Sequence, residues 1–287
     1  MITTAERPRS RARTRAGRAV AGGTAPTARD RARVVAYVAR ERARTALRAA
    51  LSRRARLVVT RSRREFAGAL QSAFTDLAVV DIGVPHEEGR RCALLARDFP
   101  SIAFLGVSPF HPVDAPLIAQ CGELGFADVL ADSVDDAQLS HAVRLHGYSA
   151  RFARALHDPP PKLELRQPLQ VDAWRAIVAH PGHTIRTEVV ASTLGVSREH
   201  LSRTFSAGRA PNLKRVIDLV RLIAAAELAK NPGYDIPVVA RLLNFASASH
   251  LTGAAQRLIG TRASSLSSLR GVDLVERFVR GRARSRA

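Results

Sequence analysis

The stretch "ASTLGVSREHLSRTF", Ala191 to Phe205, decides how the C-terminal part of this 287-residue chain is read. Ala191 is small where a crossing helix must come close. Gly195 is free to take the left-handed conformation that ends a helix. Val196 is placed to anchor the turn in an apolar core, and Ser197 has the side-chain oxygen that caps a following helix. Leu201 and Phe205 fall on the inner side of that helix. Arg198, Glu199, Ser202 and Arg203 are left on its outer side. A helix of this kind fits the major groove of DNA, where arginine pairs with guanine and serine takes several partners.

The pattern recurs further along, and the recurrence matters more than either copy. Ala240 matches Ala191, Asn244 matches Gly195, Phe245 matches Val196, Ser247 matches Ser197 and Leu251 matches Leu201. Asparagine is the next-best residue for a left-handed helix end, so Asn244 can do the work of a glycine. Between the copies, "NLKRVIDLVRLIAAAELAK" (212–230) carries one apolar stripe, with Asn212 suited to its N-cap and "NPG" to its stop. A helix of that length spans roughly 28 Å. Two reading helices on successive turns of DNA need about 34 Å.

Residues 169–270 resemble the C-terminal DNA-binding domain of AraC/XylS-type transcription regulators. "TEVVASTLGVSREHLSRTF" is similar to the family's first motif, "RLIAAAELA" to its linker helix, and "DIPVVARLLNFASASHL…LIGTRAS" to its second. The resemblance implies base contacts from Arg198, Glu199, Ser202 and Arg203, and from Ser249 and His250 in the second helix. Double-stranded DNA is the implied partner. The chain departs from the family at Asn244, where glycine is usual, and at Leu251, where an aromatic is usual. Gly253 and Gln256 stand where the family is basic, and Ala263 where it has proline. The second reader is therefore expected to be the weaker of the two.

Upstream, five short apolar runs alternate with helical stretches: "RVVAYV" (33–38), "ARLVVT" (55–60), "LAVVDI" (77–82), "SIAFLGV" (101–107) and "ADVLA" (127–131). Such runs predict a doubly wound parallel sheet covered on both faces. This region, 32–147, resembles the receiver domains of bacterial response regulators. "DLAVVDIGVP" is similar to their third strand, with Asp81 as the implied phosphoacceptor, and Ser108 falls where they carry a switch hydroxyl. Aspartyl phosphorylation also needs a pair of acids for Mg²⁺ and a lysine for the phosphoryl oxygens. The acids should fall at Val38 and Ala39, the lysine near Asp132, and no lysine precedes Lys162. A degenerate receiver is expected, one that dimerises or binds another molecule. A response regulator switched at Asp81 is the alternative.

The charge is uneven. The net charge is +20, with seven arginines against two acids over 1–30, four against twelve from Glu65 to Ala150, and twenty-two basic residues against ten acids from Arg151 onward. The C-terminal part is thus the one expected to meet a polyanion. Residues 1–31 read as a disordered arm adding non-specific phosphate attraction, 148–168 as a proline-rich linker, 169–271 as the DNA-binding domain and 272–287 as a basic tail. Cys92 and Cys121 have no metal-ligand spacing and read as buried thiols of a cytoplasmic protein. No apolar run reaches the roughly 18 residues of a membrane span. "HPGH" (180–183) reads as a turn lacking a third metal ligand. No catalytic, metal or cofactor constellation stands out.

The expectation is a sequence-specific transcription regulator, cytoplasmic and not an enzyme. A homodimer through the α/β domain and a contact with RNA polymerase accompany it. The rivals of another class are an interaction adaptor with a decayed DNA domain and an enzyme using the sheet's crevice.

Overall fold

A computed structural model describes residues 31–51, 55–83, 87–133, 135–183, 185–206 and 208–284. The predicted arm at 1–31 lies outside these but for Arg31.

The first half alternates strand and helix: β1 (Ala32–Tyr37), α1 (Glu41–Leu51), β2 (Ala55–Thr60), α2 (Arg63–Ser72), β3 (Leu77–Asp81), α3 (Glu87–Ala93), β4 (Ala103–Ser108), α4 (Ala115–Glu123), β5 (Asp128–Ala131) and α5 (Asp136–His146). All strand pairs are parallel, in the order β2-β1-β3-β4-β5. This is the predicted doubly wound sheet. Successive side chains leave opposite faces of a strand, so β1 feeds two cores at once. Val34 and Ala36 pack with Leu47, Leu51 and Leu139 beneath α1 and α5. Val35 and Tyr37 pack with Phe66, Leu70 and Phe104 on the other face. Burial on both sides is why the runs are continuous rather than alternating.

The second half is helical: α6 (Tyr148–Ala155), α7 (Pro168–Val178), α8 (Thr187–Thr193), α9 (Arg198–Ser206), α10 (Leu213–Leu228), α11 (Ile236–Leu242), α12 (Ala248–Ile259) and α13 (Gly271–Arg284). Two stretches are more ordered than their composition suggests. In the predicted linker, α6 lays Tyr148 and Phe152 into the core, and Leu163 and Leu165 are buried beyond it. The Trp174 indole N–H donates to the Leu156 carbonyl at 2.7 Å. The prolines at 159–161 exclude an α-helix there, but a 3-10 turn at Pro161–Leu163 still lets the leucines dock. In the predicted basic tail, α13 buries Leu274, Val275 and Phe278, with the Arg215 guanidinium 5.1 Å above the Phe278 ring. An amphipathic period underlies the arginines there.

The two halves share one apolar core. Tyr234 lies 5.0 Å from Phe99, centroid to centroid, and its hydroxyl donates to the Leu70 carbonyl at 3.0 Å. The Gly233 N–H donates to the Asp98 carbonyl at 2.9 Å. A Cβ at Gly233 would stand 2.5 Å from the Phe99 ring, so only glycine lets the chains come this close. The Ser101 N–H donates to Asn231 Oδ1 at 2.8 Å, and Asn231 Nδ2 donates to Ser101 Oγ at 2.6 Å.

Candidate nucleic-acid interface

Each helical hairpin is built as its sequence requires. In the first, Ala191 and Leu201 are buried, and Gly195 sits at φ +66°. Ser197 Oγ accepts the His200 N–H at 3.1 Å, which satisfies one of the unpaired donors at the start of α9. In the second, Ala240, Phe245 and Leu251 are buried, and Asn244 adopts φ +56°. Ser247 Oγ accepts the His250 N–H at 3.1 Å. Asn244 therefore does the backbone work of the glycine it replaces. Its amide also donates to the Gly182 carbonyl at 3.2 Å, tying the second turn to the first hairpin's approach.

The outer faces of both second helices are open. Arg198, Glu199, Ser202 and Arg203 are exposed on α9, and Ser249 and His250 on α12. Without DNA, Arg198 pairs with Glu188 at 3.2 Å, an exposed contact of little energetic consequence. α10 separates the hairpins with sixteen residues, roughly 24 Å of helix.

Between the readers lies a groove of about 630 Å³, lined by Arg198 and Ser202 from α9, Lys214, Arg215 and Asp218 from α10, and Arg257 from α12. Four cations face one carboxylate. Burial holds the Asp218 carboxyl above its ordinary range, outweighing its attraction to Arg221, Lys214 and Arg257. Lys214, Arg215 and Arg257 did not stand out as site residues in the sequence. Their proximity to the Asn212 cap and to the outer face of α12 was the available signal.

Beyond the missing acids and lysine, one further residue shapes the receiver-like pocket. Asp81 ends β3 with its side chain 1% exposed. Arg40, three residues past β1, closes on it: Nη2 and Nε stand 2.7 and 2.9 Å from Oδ1, and the Arg40 backbone N–H 3.0 Å from Oδ2. Arg40 Nη1 also reaches Asp132 Oδ2 at 2.6 Å, and Nη2 reaches the Val107 carbonyl at 3.2 Å. One guanidinium thus gathers two carboxylates and a carbonyl, the oxygen set a divalent cation would seek. With Val38 and Ala39 where acids are required, these residues do not fit Mg²⁺. Ser108 Oγ donates to Asp114 Oδ2 at 2.9 Å and accepts the Phe110 N–H at 2.8 Å, so its hydroxyl is already committed.

Cys92 and Cys121 are buried free thiols. Burial pushes them up to about 12 and about 11. His180 and His183 occupy a turn, with His180 Nδ1 3.0 Å from the Ala176 carbonyl. No helix among the described residues is long and apolar enough to cross a membrane.

A receiver-like α/β domain followed by two capped helix-turn-helix hairpins defines a DNA-binding regulator. A helix-turn-helix domain family matches residues 190–268, from within α8 through the second hairpin, which agrees with the AraC-type resemblance. Among solved structures, the chain is similar to a signal receiver domain of an HD domain-containing protein from Pseudomonas fluorescens. That likeness has 23% identity and a TM-score of 0.36, covering 40% of this chain and 94% of that one. It is also similar to full-length FixJ from B. japonicum, at 16% identity and TM-score 0.35 over 78% of this chain and 96% of that one. The RcsB response regulator of Salmonella typhimurium shows 14% identity and TM-score 0.33 over 74% and 98%. The parallel strand order β2-β1-β3-β4-β5 with helices on both faces itself defines the receiver-like fold. No curated protein matches the chain significantly.

Proposed function

We propose that the protein is a sequence-specific transcription regulator that reads double-stranded DNA through α9 and α12. The observation that carries this is the pair of capped helices with open outer faces on either side of a cationic groove. Arg198, Ser202 and Arg203 are the base readers of the first motif, with Glu199 able to accept from a cytosine amine. Ser249 and His250 serve the second. Without a basic residue at Gly253 or Gln256, α12 contributes more to register than to sequence choice. Lys214, Arg215 and Arg257 hold phosphates between the two sites.

The α/β domain is the regulatory or dimerising part of this reading, with a homodimer and an RNA polymerase contact as its assemblies and the cytoplasm as its location. Catalysis is not assigned to it. The response-regulator alternative is disfavoured by Arg40, which occupies the oxygens that phosphorylation chemistry would use. Incubation with fragmented genomic DNA, recovery over a salt series and sequencing of what is retained tests the reading. Enrichment of one motif supports it. Salt-sensitive retention with no motif favours the adaptor.

A further inference from the structure

The sheet's other end carries a second cationic cleft, outside the groove between the readers. It measures about 720 Å³ and lies where the receiver-like domain meets the second hairpin. Arg31 and Arg33 enter it from the start of β1 and Arg56 from the start of β2, with Arg33 and Arg56 opposite each other in the strand register. Arg241 enters from the end of α11 and His183 from the turn between α7 and α8. The surplus is already written in the sequence, where residues 31–64 hold twelve arginines against the single acid Glu41.

The cleft's one carboxylate, Asp76, is already engaged, accepting the Arg33 N–H at 2.9 Å and the Ser149 N–H at 3.1 Å. Arg33 spends its guanidinium on the Ala69 and Ala73 carbonyls and on Thr75 Oγ1, closing the end of α2. Burial and the neighbouring Arg56 charge pull its pKa down. Among the described residues Arg241 donates only to the Gln71 carbonyl, at 3.0 Å. Among the described residues no carboxylate closes on Arg31, Arg56 or Arg241. Arg31, Arg33, Arg56 and Arg241 around the single carboxylate of Asp76 leave the cleft with a net positive excess, the signature of an anion site.

We infer that this cleft binds phosphates of the DNA backbone beyond the second motif, so that the receiver-like domain is itself part of the DNA interface. The inference rests on the reading of α12 as a DNA reader. Asn244, the turn residue three positions before the Ser247 cap, lines the cleft, so the cleft and the reading helix adjoin. The cations come from three separate elements, which suits a string of phosphates better than one small anion. They also restore positive charge beside a motif that lacks it at Gly253 and Gln256.

The test compares the full-length protein with Arg56→Ala and with Arg31→Ala/Arg56→Ala on a fragment recovered by genomic selection. Both side chains are exposed, so melting temperatures should be unchanged, and Arg56→Lys should retain most of the effect. The slope of log K against log salt should fall by about one for each arginine removed. Hydroxyl-radical protection should shorten on the second motif's flank, with the preferred sequence unaltered. Unchanged slope and footprint would overturn the inference. So would inorganic phosphate raising the melting temperature of the wild type but not of the double variant, with identical footprints, since the site would then hold a small anion. Failure of the wild type to select any DNA is a different result: it removes the reading of α12 and this inference with it.

Discussion

The guanidinium of Arg40 lies on the carboxylate of Asp81, 2.7 Å from Nη2 to Oδ1, with Asp132 held on its other side at 2.6 Å. Removing one member of a buried pair strands the other, at a cost of about 3–5 kcal/mol. Arg40→Ala is therefore expected to lower the melting temperature by on the order of 10 °C. Asp81→Asn in the same chain should recover part of that loss, giving a non-additive cycle. Thermal denaturation of the four proteins measures it, and additive losses would mean that the pair is not coupled.

The same pair predicts the response to a phosphodonor. Wild-type protein incubated with a small phosphodonor and Mg²⁺ should show no gain of phosphoryl mass at Asp81. A gain abolished by Asp81→Ala, seen by intact mass spectrometry, would restore the switched response regulator.

Asn244 stands at φ +56°, where β-branched residues are strained. Asn244→Gly should be close to neutral, while Asn244→Val should destabilise by about 1–2 kcal/mol. Chemical denaturation distinguishes them. Equal stability of the two variants would show that the turn relaxes out of the left-handed region.

Tyr234 and Gly233 bind the halves into one core, so the described part of the chain should unfold in a single transition. Gly233→Ala, which sets a methyl against the Phe99 ring, should split that transition in calorimetry or shift it down. Two transitions in the wild type would instead mean that the domains are thermodynamically separate.

Asp218 gives the groove between the readers a pH dependence. Its folded pKa is raised above the ordinary 3.8, so the folded state binds the proton more tightly than the unfolded state. Its contribution to stability is therefore greatest at pH below 3.8 and is lost as pH rises through the folded value. At neutral pH the carboxylate repels phosphate. Asp218→Asn should raise the melting temperature at pH 7, tighten DNA binding and flatten the rise in affinity on acidification. Affinity profiles of the two proteins from pH 7 downward check this, and parallel profiles would sink it.

Much of this architecture was legible in residues. The central strands β1, β3 and β4 announced themselves because burial on both faces leaves no polar alternation to confuse the pattern, while the half-exposed edge strands β2 and β5 were legible from their short aliphatic runs. The hairpins were legible because Ala, Gly or Asn, Ser and Leu each have a mechanical duty at a fixed offset, and Asn244 confirms that the duty rather than the residue name is what recurs. Arg40 was not legible. It satisfies a pocket formed by three separate strand ends, and nothing local marks it among the arginines around it. The packing of α6 and α13 was hidden by composition, since proline and arginine mask the few apolar residues that dock them. The cleft at Arg31, Arg56 and Arg241 depends on how the two halves meet, which no local pattern encodes.

The central claim is that α9 reads bases, and Arg203→Ala tests it most directly. On a fragment carrying the selected motif, its affinity should fall by about 1–3 kcal/mol, with a smaller loss on random DNA of the same length. Equal losses on both fragments would reduce Arg203 to a phosphate contact and contradict the account.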